Sequence, residues 1–288
     1  MKGLVFWVEG PVGIAFELWQ EPLHLLSEAI SERLPVWLLR YYRSETTPAY
    51  EMEIWDSRGR AITFWGAWKS KKILHFVESY WQAEGFIPGA IVKVSASLTS
   101  FLVRWKKRFG IPVVDFGSEE GLWRWPHSGL SQVYRAEAER LLLPLNRGSS
   151  EAAHRIGSFL LERGWSVLFT GWAQESTSFR RLHSQYPHRV GIYLGLSWLD
   201  VESLLEGCWA VILPAPIPAL LGLGWGRPVF YPGALPREGP GLYTYQGVEE
   251  LLASLRSDRL TPTPLFSPAQ LASMWIEWYD SLLVGSLS

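Results

Sequence analysis

Along this chain, short apolar runs alternate with stretches whose apolar residues recur every three or four positions. Residues 4–8 (Leu-Val-Phe-Trp-Val) form an apolar run closed by Glu9-Gly10-Pro11-Val12-Gly13, the pattern of a buried strand ending in a glycine turn. Leu18, Leu23, Leu26 and Ile30 then fall near helical spacing over residues 16–33, and residues 36–39 are a second apolar strand. A polar excursion over 50–64 turns at 56–60 and ends in a strand over 61–64. The pattern next predicts a helix over 71–82, a strand over 90–94, a helix over 98–108 and a strand over 111–115. Strands alternating with helices of this length point to parallel βαβ units.

A segment rich in Gly, Trp and Pro, residues 116–131, interrupts the alternation. The pattern then restarts, with strands at 140–144, 165–170, 190–194, 209–213 and 228–231. Between them lie helices at 150–163, 176–186, 200–206 and 219–224, and two helical stretches follow at 248–256 and 268–283. A pattern that restarts halfway predicts an α/β chain of two Rossmann-like domains facing across a cleft. The expected division is 1–135, 136–266 and a terminal helix, 267–288, that packs back on the first domain. Ligands of such folds bind outside the carboxyl ends of the strands.

Composition narrows the function. Of 288 residues, 48% are hydrophobic and 19% charged, a balance that excludes disorder of the whole chain. The formal net charge is −1, so the chain lacks the basic excess of a dedicated duplex-DNA binder, and nucleic acid is not an expected partner. Cys208 is the single cysteine, which rules out an intramolecular disulfide and a multi-cysteine zinc site. His183 and His188 lack the carboxylate of an HExxH arrangement, and no metal is expected. No run approaches the ~18 apolar residues of a spanning helix. The opening Met1-Lys2-Gly3 shows no signal-peptide pattern, so a cytoplasmic location is expected. The 17 tryptophans are either core filling or platforms for flat ligands such as sugars and bases.

The second half carries an ordered series of short motifs. They run Leu143-Pro144-Leu145-Asn146-Arg147, then residues 167–171 (Val-Leu-Phe-Thr-Gly), then residues 190–195 (Val-Gly-Ile-Tyr-Leu-Gly). A helix-then-strand stretch at 199–214, Gly226-Arg227-Pro228-Val229 and the terminal helix complete the series. In that order they resemble the carboxy-terminal domain of GT-B glycosyltransferases, above all the retaining, glycogen-synthase-like class. The resemblance implies a GT-B architecture and transfer of a sugar from a nucleotide-sugar donor to an acceptor hydroxyl, with donor and acceptor as partners and no metal. One departure weighs against it. Where the family places two glutamates seven residues apart, residues 215–225 contain no carboxylate, and Pro216 and Pro218 lack N–H groups. The alternative is therefore a catalytically degenerate GT-B-like protein that serves as a binding or assembly partner. Donor, acceptor, stereochemistry and oligomeric state are not legible.

The candidate residues follow from these positions. Asp115 and Glu119 follow a predicted strand end, and His127 lies in the same loop; each can act as general base toward an acceptor hydroxyl. Glu9, Gly10 and Gly13 form a turn where a ligand can approach the backbone. Asn146 and Arg147 sit at a strand-to-helix junction, where Arg147 can pair with phosphate and Ser149 or Ser150 can cap the helix. Thr170, Gly171 and Trp172 end the next strand, with Trp172 able to stack on a base or pack in the core.

Overall fold

A computed structural model describes residues 1–11, 17–43, 50–56, 61–66, 70–94, 100–116, 125–126, 139–145, 149–171, 176–194, 196, 198–216, 222, 226–236, 238–257 and 259–285. The chain divides into two compact units. Unit 1 comprises Met1–Gly13, Leu23–Leu122 and Pro268–Ser288, and unit 2 comprises Ile14–Pro22 and Trp123–Ser267. The division thus falls at Leu122 and Trp123, against the 135 expected from the sequence.

Unit 1 is built on a six-stranded sheet in the order β4-β3-β2-β1-β5-β6. Its strands are β1 (Lys2–Pro11), β2 (Val36–Arg43), β3 (Tyr50–Trp55), β4 (Ala61–Gly66), β5 (Ile87–Lys93) and β6 (Val113–Asp115). β2, β1, β5 and β6 are parallel, while β3 and β4 add an antiparallel hairpin at one edge. The polar excursion of the sequence is this hairpin, and β3 was not expected. The strand and the glycine turn expected at Glu9-Gly10 are also corrected: β1 stays extended to Pro11, because β2 continues beside it and pairs Glu9 with Tyr41 and Gly10 with Tyr42.

Alternation in these strands separates two cores. Val5, Trp7, Trp37, Leu39, Tyr41 and Ile91 face α2 (Ser70–Ala83) and α3 (Ser100–Phe109), which contribute Val77, Trp81, Leu102 and Trp105. The rings interlock there, Trp105 lying 5.5 Å edge-on to Trp7 and 5.2 Å from Trp81. On the opposite face lie α1 (Glu17–Ser31) and α8 (Pro268–Gly285). Trp275 of α8 sits 5.2 Å from Phe6 and 5.8 Å from Phe116, with Leu271, Ile276 and Tyr279 also buried. Gly89 makes this seating possible, since a Cβ there would collide with the Tyr279 phenol. Trp7, Trp37, Trp81, Trp105 and Trp275 are thus core residues; a fully buried aromatic side chain contributes ~1.5–3 kcal/mol.

Unit 2 holds a second six-stranded sheet, entirely parallel, in the order β12-β11-β10-β7-β8-β9. The strands are β7 (Arg140–Leu145), β8 (Ser166–Gly171), β9 (Val190–Leu194), β10 (Ala210–Ile212), β11 (Val229–Pro232) and β12 (Leu242–Tyr245). The helices are α4 (Ser150–Glu162), α5 (Ser176–Gln185), α6 (Trp198–Glu206) and α7 (Val248–Leu255). α4, α5 and α7 cover one face, packing Ile156, Leu160, Phe179 and Leu251 on Leu143, Val167, Phe169 and Ile212. β12 was not expected, and the helix expected over 219–224 lies almost wholly outside the described residues.

Candidate functional site

In the chain order of its strands, the sheet of unit 2 reads 3-2-1-4-5-6, the nucleotide-binding Rossmann order. The order reverses between β7 and β10, so a crevice is expected outside their carboxyl ends. From β7 the chain passes through 146–148 into α4. Ser149, the N-cap of α4, is buried, and its side chain makes no capping hydrogen bond to the helix. The Ser149 side chain therefore does not satisfy the first-turn N–H groups of α4, and such groups suit an anion. Asn146 and Arg147 lie outside the described residues.

Thr170 and Gly171 close β8 beside the end of β7, opposite Pro144 and Leu145. Val167 and Phe169 face α4 and α5, so Thr170 points to the other side of the sheet. It is 1% exposed, and its Oγ1 has no hydrogen-bond partner among the described residues. A buried hydroxyl without a partner costs about 1–3 kcal/mol, which makes Thr170 the unsatisfied polar group of this crevice. Gly171 takes φ 111°, a backbone that favours glycine. Trp172 lies outside the described residues.

On the far side of the switch point, two polar groups are already engaged. Tyr245 on β12 donates its hydroxyl to the Leu213 carbonyl at 2.6 Å, and burial pushes its phenol above the usual range despite nearby Arg155. Arg227, inside the Gly-Arg-Pro-Val motif, is buried. Its guanidinium donates to the Leu205 and Glu206 carbonyls at 3.3 and 2.9 Å, capping the carboxyl end of α6. That motif is structural here.

Unit 1 has its own reversal of strand order, between β1 and β5. Lys93 ends β5 there, paired in register with Trp7 and with Asp115, the last residue of β6. The Lys93 ammonium lies 2.6 Å from Asp115 Oδ1, with side-chain exposures of 5% and 56%. Sequence reasoning found Asp115 and missed Lys93, whose only signal is a lone lysine closing an apolar strand. A carboxylate held by a buried ammonium is a fixed anion that accepts hydrogen bonds from ligand hydroxyls. Glu119, His127 and Gly13 lie outside the described residues, and Glu9 and Gly10 are placed only as backbone of β1.

A second charged group on the α1 face was also missed. Arg40 of β2 is 1% exposed and donates to His24 Nε2 at 2.6 Å, the His24 ring resting 4.7 Å from Trp55. An arginine cannot give up its proton, so His24 accepts as the neutral imidazole. Burial, then Arg40, lowers its pKa to about 4. Among the described residues no group of three metal-ligating side chains occurs, and no helix is long and apolar enough to cross a membrane.

No family model matches the chain, and no curated protein matches its sequence. Solved structures do. AviGT4, a glycosyltransferase involved in avilamycin A biosynthesis, superimposes with a TM-score of 0.53 at 14% identity, covering 98% of each chain. The UDP-GlcNAc 2-epimerase of Methanocaldococcus jannaschii, in complex with UDP-GlcNAc and UDP, gives 0.53 at 9% identity over 97% of this chain and 100% of its own. The fold is GT-B. S. aureus MnaA, solved with UDP, gives 0.52 at 9% identity over 97% of each chain. Two Rossmann-like units along nearly the whole length are therefore common to this chain and to these glycosyltransferase and epimerase structures.

Proposed function

We propose that the protein is a nucleotide-sugar-dependent glycosyltransferase. The donor's diphosphate binds at the carboxyl edge of unit 2, on the first turn of α4 and Arg147, and the sugar passes to an acceptor hydroxyl. The observation that carries this reading is the strand reversal between β7 and β10 with the uncapped helix α4 directly after β7. Helix N-terminal N–H groups and a bidentate arginine suit a diphosphate, and they also stabilise it as a leaving group without a metal. Thr170 offers its hydroxyl to the same ligand. Asp115, fixed by Lys93, is the carboxylate proposed to accept the hydroxyl proton, with Glu119 and His127 as candidates in the chain that follows. Among GT-B enzymes the motif order favours the retaining, glycogen-synthase-like class.

A second reading rests on a specific feature. Residues 215–226 contain no carboxylate, so the chain lacks the paired glutamates that hold donor in that class. This favours a protein that binds nucleotide or nucleotide-sugar and has lost transfer. Calorimetry with UDP, ADP, GDP and their sugars, on the native chain and on Arg147→Ala, tests the shared step. Binding that Arg147→Ala weakens supports the site, and no binding of any of them at millimolar concentration overturns both readings. Release of nucleoside diphosphate from a bound sugar donor then separates enzyme from binder.

A further inference from the structure

The charge of this chain is unevenly placed. α2 and α3 lie side by side on one face of unit 1, and together they carry Lys71, Lys72, Arg104, Lys106, Lys107 and Arg108 against Glu78 alone. The whole chain, by contrast, has a formal net charge of −1. Arg104, Lys106, Lys107 and Arg108 are exposed on α3. Arg108 pairs with Glu78 at 3.3 Å, whereas Arg104, Lys106 and Lys107 have no ion-pair partner among the described residues. Complementing the helix dipole accounts for one or two cations in a last turn, not for a run extending back to Arg104.

Apolar side chains stand among these cations. Val103 is 52% exposed between them, and Ile87 at the start of β5 is 56% exposed. Between the carboxyl-terminal turns of α2 and α3 opens a cavity of about 270 Å³, walled by Trp81, Phe86, Ile87, Pro88 and Ile111 with the paired Glu78 and Arg108 at its side. Met1, 72% exposed, lies beside it, its carbonyl accepting from the Ile87 N–H. The patch is thus basic with aliphatic residues at its margin. It also lies toward the amino ends of the parallel strands of unit 1, opposite the carboxyl end at which that unit's own strand order reverses.

We propose that this α2–α3 face docks the protein on an anionic phospholipid surface. Cations supply attraction to the headgroups, and Val103, Ile87 and Met1 supply apolar contact at the interface, the combination found on membrane-surface elements. A single-stranded nucleic acid fits less well, because Trp81 and Trp105, the rings best suited to base stacking, are 4% and 1% exposed.

The test is co-sedimentation of the full chain with vesicles of phosphatidylcholine, alone or with a third of phosphatidylglycerol. The expected result is binding to the anionic vesicles only, lost as salt rises from ~0.1 to ~0.5 M and the screening length shrinks. Each cation near an anionic leaflet contributes about fivefold to partitioning, so Lys106→Glu with Lys107→Glu lowers it by about 30-fold or more. The matched reversal of Arg180 and Arg181 to Glu on α5, both exposed in unit 2, leaves it unchanged. Equal melting temperatures for the variants and the native chain confirm that folding is intact. Absence of binding to anionic vesicles at low salt overturns the proposal. So does equal loss in the α5 variant, or binding of single-stranded RNA in place of vesicles.

Discussion

The Lys93–Asp115 pair predicts an asymmetry between its two halves. The ammonium is 5% exposed and the carboxylate 56%, so one charge has left water and the other largely has not. Asp115→Ala strands a buried cation. Removing one partner of a buried pair costs about 3–5 kcal/mol, and because Asp115 is half-exposed, water can enter where its side chain was; about 2–3 kcal/mol is expected here. Lys93→Met removes the costly charge, keeps the stem volume, and leaves Asp115 to re-solvate, so the expected loss is about 0–1 kcal/mol. The assay is urea denaturation at pH 7, read as midpoint shifts at constant slope. Equal losses in the two variants, or a larger loss for Lys93→Met, would refute the reasoning. The pair would then be held by packing of the lysine stem, not by its charge.

Two further outcomes follow from single groups. Thr170→Val removes a buried hydroxyl that has no partner among the described residues, so it should stabilise the free protein by about 1 kcal/mol and weaken nucleoside diphosphate binding; a destabilised variant with unchanged binding would contradict the crevice assignment. His24 titrates near 4 when folded and at the ordinary 6.5 when unfolded, so its contribution is complete above pH 6.5 and is lost as pH falls from 6.5 to 4. Partial exposure limits that loss to about 2 kcal/mol. In denaturation at pH 7 and pH 4.5, His24→Gln should show a smaller acid loss than the native chain, and an identical loss would exclude His24 as its source.

The sequence made the parallel parts of the fold legible because buried parallel strands are continuous apolar runs. β9 was expected at 190–194 and occupies Val190–Leu194, and β7, β8, α4 and α5 fall within a residue of their expected ends. β3 escaped for the opposite reason. Tyr50-Glu51-Met52-Glu53-Ile54-Trp55 alternates polar and apolar residues with period two, the mark of an antiparallel strand, yet its glutamates made it read as an excursion. β12, at Leu242–Tyr245, was too short to signal between Gly241 and Gly247. Side chains were harder to read than strands. Lys93 reads as the polar end of a strand until register sets it against Asp115. Arg227 reads as part of a motif until its guanidinium is found on the carbonyls of α6.

The two sides of the unit 2 switch point are chemically unlike, and this bears on how an anion could be held there. On the β10 side, Pro214 and Pro216 contribute no N–H, and the Leu213 carbonyl already accepts from Tyr245. A phosphate approaching that strand end meets no free donor among its described residues up to the N–H of Ala215. On the β7 side, α4 starts without a side-chain cap, and helix N-terminal N–H groups together with the dipole favour negative charge. Any diphosphate at this crevice is therefore drawn toward α4 and away from β10. The carboxylate-free stretch over 215–226 then has a physical consequence beyond a missing motif. With no carboxylate over 215–226 and no N–H on Pro214 or Pro216, the nucleotide binding proposed above leans on β7, β8 and the chain leaving them, where Thr170 Oγ1 has no hydrogen-bond partner among the described residues.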